Sequence, residues 1–149
     1  MINIEKYLSS LKATLLHLDN WQPMQLARAW AKTVPSAPGV YVLKEQSEII
    51  YVGETGNLRQ RMIDLMDTRH HTARRTIGHK LFSELKGYHS ASSKKKFPPH
   101  VESLLNDHIC THLCIAYLVV SLGRKELEEM LIDEIEHPAR LNKRSRRKQ

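Results

Sequence analysis

Residues 39–61, GVYVLKEQSEIIYVGETGNLRQR, constrain the fold of this chain more than any other stretch. Val40, Tyr41, Val42 and Leu43 form one β-rich run, and Ile49, Ile50, Tyr51 and Val52 form a second. Between them lies the polar break KEQSE at 44–48. Two such runs around a short polar break specify an antiparallel hairpin. With all five break residues in the loop, Leu43 faces Ile49 and Tyr41 faces Tyr51. Side chains alternate between the faces of a strand, so Val40, Val42, Ile50 and Val52 then make one apolar face. The other face carries both tyrosines and ends at Gly53, where no side chain blocks an approaching ligand. A slip of one residue would invert these faces, so the arrangement holds only for this loop length.

A helix start follows, with Thr55 or Asn57 as its N-cap. Leu58, Met62, Leu65 and Met66 recur at helical spacing, and Arg61 sits on the flank of that stripe.

The rest of the chain supplies helices around this hairpin. Ile4, Tyr7, Leu8, Leu11, Leu15 and Leu18 predict an amphipathic helix over 2–18, and Pro23 opens a second helix running to Lys32. The segment VPSAP at 34–38 delivers an extended chain into the first strand. Beyond the motif helix, 67–75 is polar and basic, Ile77, Leu81, Leu85 and Tyr88 mark a helix, and 90–99 is a loop. CIAYLVVS at 114–121 predicts a buried strand. His108, Cys110, His112 and Cys114 precede or open it at every second position. Ligands alternating along a strand lie about 6–7 Å apart on one face, awkward for one tetrahedral zinc. The segment 123–137 is a helix with Leu127, Met130, Leu131, Ile132 and Ile135 as its apolar arc. Of its six carboxylates, only Glu128 and Glu134 fall inside that arc, where an acid needs a partner, a proton or a metal.

Charge points to the partner. The 149 residues carry a net +7, of which 59–96 holds ten Lys/Arg against Asp64, Asp67 and Glu84. Residues 140–149 add six more with no acid. Two basic zones suit a polyanion, although a solvated surface with a basic tail gives the same pattern. The candidate nucleic-acid contacts are Gly53, Arg59, Arg74, Arg75, His79, Lys80, Lys94, Lys95, Lys96 and Arg144. Two cysteines make no disulfide framework, and no stretch reads as a signal peptide or membrane span, so a cytoplasmic chain with no membrane partner is expected.

Taken in order, Gly39-Val40-Tyr41, Tyr51-Val52-Gly53, Asn57-Leu58 and Arg61 resemble the GIY-YIG nuclease superfamily. Leu127-Glu128-x-x-Leu131-Ile132 resembles the family's LExxLI, and Pro138 to Asn142 its closing segment, with intervals one residue longer than usual. The resemblance implies an α/β (α+β) fold: a small three-stranded antiparallel sheet from 39–43, 49–53 and 114–121, flanked by helices. It divides the chain into an N-terminal helical extension (1–37), a nuclease-like domain (38–142) and a basic tail (143–149).

It also implies a Mg²⁺-dependent DNA endonuclease, with Mn²⁺ as an alternate ion. Tyr41, Tyr51, Arg61, Glu128 and Asn142 would form its catalytic set, Glu128 holding the metal. Phosphodiester hydrolysis needs a deprotonated water and a cation for the developing charge, and one glutamate suits Mg²⁺, which keeps several waters. Either tyrosine can be the base. Arg61 would clamp the phosphate. A repair, restriction or mobile-element role stays open, as does a homodimer or a partner that supplies specificity. Two alternatives remain: a non-catalytic nucleic-acid-binding module and a partner-dependent nuclease subunit.

Overall fold

The computed structural model describes residues 3–135 and 141–142. Its sheet has four antiparallel strands: β1 (Gln22–Pro23), β2 (Gly39–Glu45), β3 (Glu48–Thr55) and β4 (Leu113–Val119), in the order β1-β4-β2-β3. Around them pack α1 (Ile4–Leu15), α2 (Arg28–Ala31), α3 (Leu58–Asp64), α4 (Thr72–Phe82), α5 (Pro99–His112) and α6 (Arg124–Glu134). The mixed α/β class and the antiparallel sheet are as expected from the sequence. The sheet gains a fourth strand because Gln22 and Pro23 pair with Ile115 and Cys114. Proline at a sheet edge costs no ladder bond, and a strand here replaces the helix expected from Pro23 to Lys32. Only Arg28–Ala31 of that span is helical.

The hairpin turns more tightly than its polar break suggests. Glu45 pairs with Glu48, leaving Gln46 and Ser47 at the tip, Gln46 with a left-handed φ of 56°. Backbone pairing does not depend on polarity, so the two glutamates extend the strands. Tyr41 therefore pairs with Gly53, and Leu43 with Tyr51, two residues from the expected register. A shift of two preserves faces, so both tyrosines stay on one side. An irregularity beside Leu43 and Lys44 makes Ile50 the exception. Val40, Val42 and Val52 enter one core cluster, but Ile50 enters the other, with Tyr41 and Leu43.

These two clusters are the two layers of the molecule. On one face Val40, Val42, Val52 and Ala116 meet Leu8 and Leu15 of α1 and Leu127, Leu131 and Ile132 of α6. On the other, Tyr41, Leu43 and Ile115 meet Leu58 and Met62 of α3, Ile77 of α4, and Val101, Leu105 and Ile109 of α5. Met24, Trp30 and Val34 from the N-terminal region join this second layer. Helix α1 ends at Leu15, and Leu18 is 83% exposed in a short 3-10 turn, outside the apolar stripe predicted for it.

Helix α5 corrects the strand reading of the His/Cys alternation. Pro99 opens it at a first-turn position, and Val101, Leu105 and Ile109 bury at i, i+4 spacing. His108 and His112 thus stand one helical turn apart, ring centroids 4.7 Å apart, rather than along a strand. Among the described residues no helix is long and apolar enough to cross a membrane.

Candidate active site

The hairpin's tyrosine face and the first turn of α4 meet at one point. Tyr41 is fully buried, with its ring laid across Gly53: a Cβ on Gly53 would stand 2.4 Å from the ring's Cζ. The glycine therefore seats Tyr41 rather than leaving room for a ligand, which removes it from the nucleic-acid contacts expected of it. Tyr51 lies beside Tyr41, ring centroids 6.1 Å apart, and is half-buried.

A third ring completes the group. His71 is buried, its Nε2 2.7 Å from Tyr41 Oη and its ring 5.5 Å from that of Tyr51. Its Nδ1 accepts the Ala73 N–H at 3.1 Å, so His71 is also the N-cap of α4. Sequence reasoning missed this residue. Within the run HHTARR, polarity gives no hint of which histidine turns inward. The one available signal was Ala73 and Ile77 at helical spacing, which start the helix earlier and put His71 at its cap.

Arg61 reaches the same point from α3. Its NH1 donates to Asp64 Oδ2 at 3.2 Å and to the His70 carbonyl at 3.0 Å, steadying the guanidinium against both phenols. Asn57 caps α3 by accepting from Gln60 N, which fixes the helix one turn ahead of Arg61. Glu128 is half-buried on α6, and its charge is felt at Tyr51. The other inward candidate, Glu134, is exposed and pairs with Lys12.

The electrostatics separate the two tyrosines. Burial pushes Tyr41 well above the usual phenol range, with the Tyr51 charge adding to it and Arg61 opposing. Burial also raises Tyr51, with Arg61 opposing and the Glu128 charge adding to it, so it too stands above the usual phenol range. His71 is held well below the ordinary imidazole range, by burial first and then by Arg61, Arg75 and Arg74. It is neutral at physiological pH.

Other expected site residues do structural work. Asn142 spends its amide on the backbone of Val52, which donates to Oδ1 at 3.1 Å while Nδ2 donates to the carbonyl at 2.9 Å. This pins Asn142 to the edge strand that carries Tyr51. Arg59 donates from Nε to the Val34 carbonyl and from NH2 to that of Lys32. Arg74 is 1% exposed and donates to Thr68 Oγ1, the Leu65 carbonyl and Glu102 Oε1, the last at 2.7 Å. Neither arginine is a free phosphate contact. Arg75 donates to the carbonyls of Thr68 and Arg69 and to Thr72 Oγ1. His79, Lys80, Lys94, Lys95 and Lys96 are exposed along α4 and the loop before α5. Arg144 lies outside the described residues.

The sheet, its paired tyrosines and the arginine on the following helix define a small catalytic α/β domain. The family model described as the GIY-YIG catalytic domain matches residues 30–148. The chain belongs to that family, and its domain is of nuclease type. No curated protein and no solved structure matches it.

Proposed function

We propose that this chain is a divalent-metal-dependent endonuclease that hydrolyses phosphodiester bonds in DNA, with Mg²⁺ as its ion. The observation that carries the reading is the convergence of two phenols, a guanidinium and a carboxylate at one place. The rings of Tyr41 and Tyr51 adjoin, the Arg61 charge acts on both, and the Glu128 charge acts on Tyr51. A phenol can take the proton of an attacking water, and the guanidinium can hold the phosphate under attack. The fixed NH1 arm of Arg61 keeps that cation from swinging away.

The donor chemistry fits Mg²⁺. A half-buried carboxylate is a hard oxygen ligand, and no group of three His, Cys, Asp or Glu side chains among the described residues is arranged to hold a metal. That sparse set suits an ion that keeps several of its waters. Glu128 would hold it, and when bound it supplies Lewis-acid stabilisation of charge developing on the phosphoryl and leaving oxygens.

Exposed Lys80, Lys94, Lys95 and Lys96 support a track for the DNA backbone outside the site. The test is Glu128→Ala assayed for cleavage and binding together. Expected is a rate loss of roughly 10² or more with DNA affinity retained. Unchanged cleavage would remove Glu128 from the site. Binding without cleavage by the wild-type chain would make it a non-catalytic module.

A further inference from the structure

We propose that the cleft between α4 and the loop before α5 is a nucleobase site. It receives an unpaired base of the DNA beside the candidate active site, and so favours flapped, branched or overhanging DNA over blunt duplex. Its bearing on what is cut rests on the nuclease reading above; the base site itself does not.

The cleft starts from a glycine. Gly78 lies inside α4, where glycine weakens a helix, and a Cβ there would stand 2.4 Å from the Phe97 ring. Its absence lets the buried Phe97 ring sit directly on the helix as one wall. Tyr88 packs on Phe97, ring centroids 5.7 Å apart, and its Oη lies 2.9 Å from His79 Nδ1. Between these three rings and Arg75, Thr76 and Ala91 an open space of about 270 Å³ remains. The loop that bounds it is held in place. Ser92 N–H donates to the Lys95 carbonyl at 2.8 Å, Lys95 N–H to that of Ser92 at 3.3 Å, and Phe97 N–H to Glu102 Oε2 at 2.9 Å. A cleft already formed spends little binding energy on ordering its walls.

Shape, charge and place select the occupant. Three rings around a small space suit a flat π-system, and unpaired bases are bound by stacking on such side chains. Between Glu84 and Glu102 the chain has no acid, and Glu102 is itself paired with Arg74. Lys94, Lys95 and Lys96 are exposed on the same loop, so a nucleotide can lay its base in the cleft while its phosphates meet these cations. The cleft also adjoins the candidate site. Arg75 N–H donates to the His71 carbonyl at 3.3 Å, one helical turn from the imidazole that touches Tyr41. A base within a duplex is stacked on both faces and paired at its edge, so reaching the cleft costs unstacking and unpairing. An unpaired base avoids most of that cost, and the cleft therefore selects for exposure of a base.

The experiment measures binding of the full chain in EDTA, by fluorescence anisotropy, to a flapped duplex, a blunt duplex of the same length, and flaps with a single abasic site moved along the unpaired strand. The intact flap is expected to bind more tightly than the blunt duplex. An abasic site at one position is expected to weaken binding by roughly 5–100-fold, with little effect at the others. Tyr88→Leu keeps apolar bulk but removes the ring, and Ala91→Leu fills the space from the loop. Both are expected to bind intact and abasic flaps alike, whereas Tyr88→Phe keeps the difference. Equal wild-type affinity for intact and abasic flaps at every position would overturn the base site, and that comparison needs no variant to fold. Cleavage in Mg²⁺ is then read on the same substrates. Cutting without base discrimination would overturn the base site and leave the nuclease reading intact; discrimination without cutting would do the reverse.

Discussion

Gly53 and His71 show how single residues set this site. Gly53→Ala would drive a methyl into the Tyr41 ring from 2.4 Å, against a phenol with nowhere to retreat. A cost of ~1–3 kcal/mol in urea unfolding is expected, with a changed near-ultraviolet signal as the ring moves. His71 gives stability a pH dependence. Unfolded, it binds a proton below its ordinary value of about 6.5, whereas folded it stays neutral to a much lower pH. The unfolded chain then holds the extra proton, so stability falls as pH drops below about 6.5, by up to ~1.4 kcal/mol per unit from this group. His71→Asn is expected to flatten that slope in unfolding curves taken between pH 7 and 5. Neither role was visible in the residues alone. The glycine reads as room for a ligand, and the histidine as one of several in a polar run.

At the scale of elements, two groups of basic residues that look alike in sequence part company. Arg74 ties the turn before α4 to α5 through Thr68 and Glu102, whose other oxygen accepts Phe97 N–H at 2.9 Å. Removing it strands a mostly buried carboxylate, 18% exposed, so Arg74→Ala is expected to cost about 3 kcal/mol or more. Lys94, Lys95 and Lys96 are exposed, and their triple alanine variant is expected to leave stability within ~0.5 kcal/mol. That variant should instead flatten the salt dependence of DNA binding, by roughly 0.9 in slope for each phosphate no longer neutralised. Asn142 belongs to the edge strand. Asn142→Ala gives up two hydrogen bonds to Val52 and is expected to cost about 1–2 kcal/mol, with faster amide exchange at Val52. Charge and family spacing marked all these positions, but only burial tells a scaffold arginine from a surface lysine.

Across the whole molecule, what could be read from the sequence followed hydrophobic period. The hairpin, α3, the β4 strand and α6 all announce themselves by apolar residues at spacings of two or near four, and the motif residues ride on them. Where period was absent or misleading, the reading failed. The polar KEQSE break hid two paired glutamates and the irregularity that turns Ile50 over. The His/Cys alternation masked a helix whose own signal, Val101, Leu105 and Ile109, was present. Gln22–Pro23 pairs at the sheet edge by backbone alone. The layout of the candidate site survived because the register changed by an even number and kept both tyrosines on one face.

The central claim is that the convergence of Tyr41, Tyr51, Arg61 and Glu128 makes a working phosphodiesterase. Its most direct test incubates the chain with supercoiled plasmid, linear duplex, and flap and junction DNA, in Mg²⁺ against EDTA. Metal-dependent cutting of at least one substrate, lost in Glu128→Ala, is the expected result. DNA bound but left intact on every substrate, at every Mg²⁺ concentration, would contradict it.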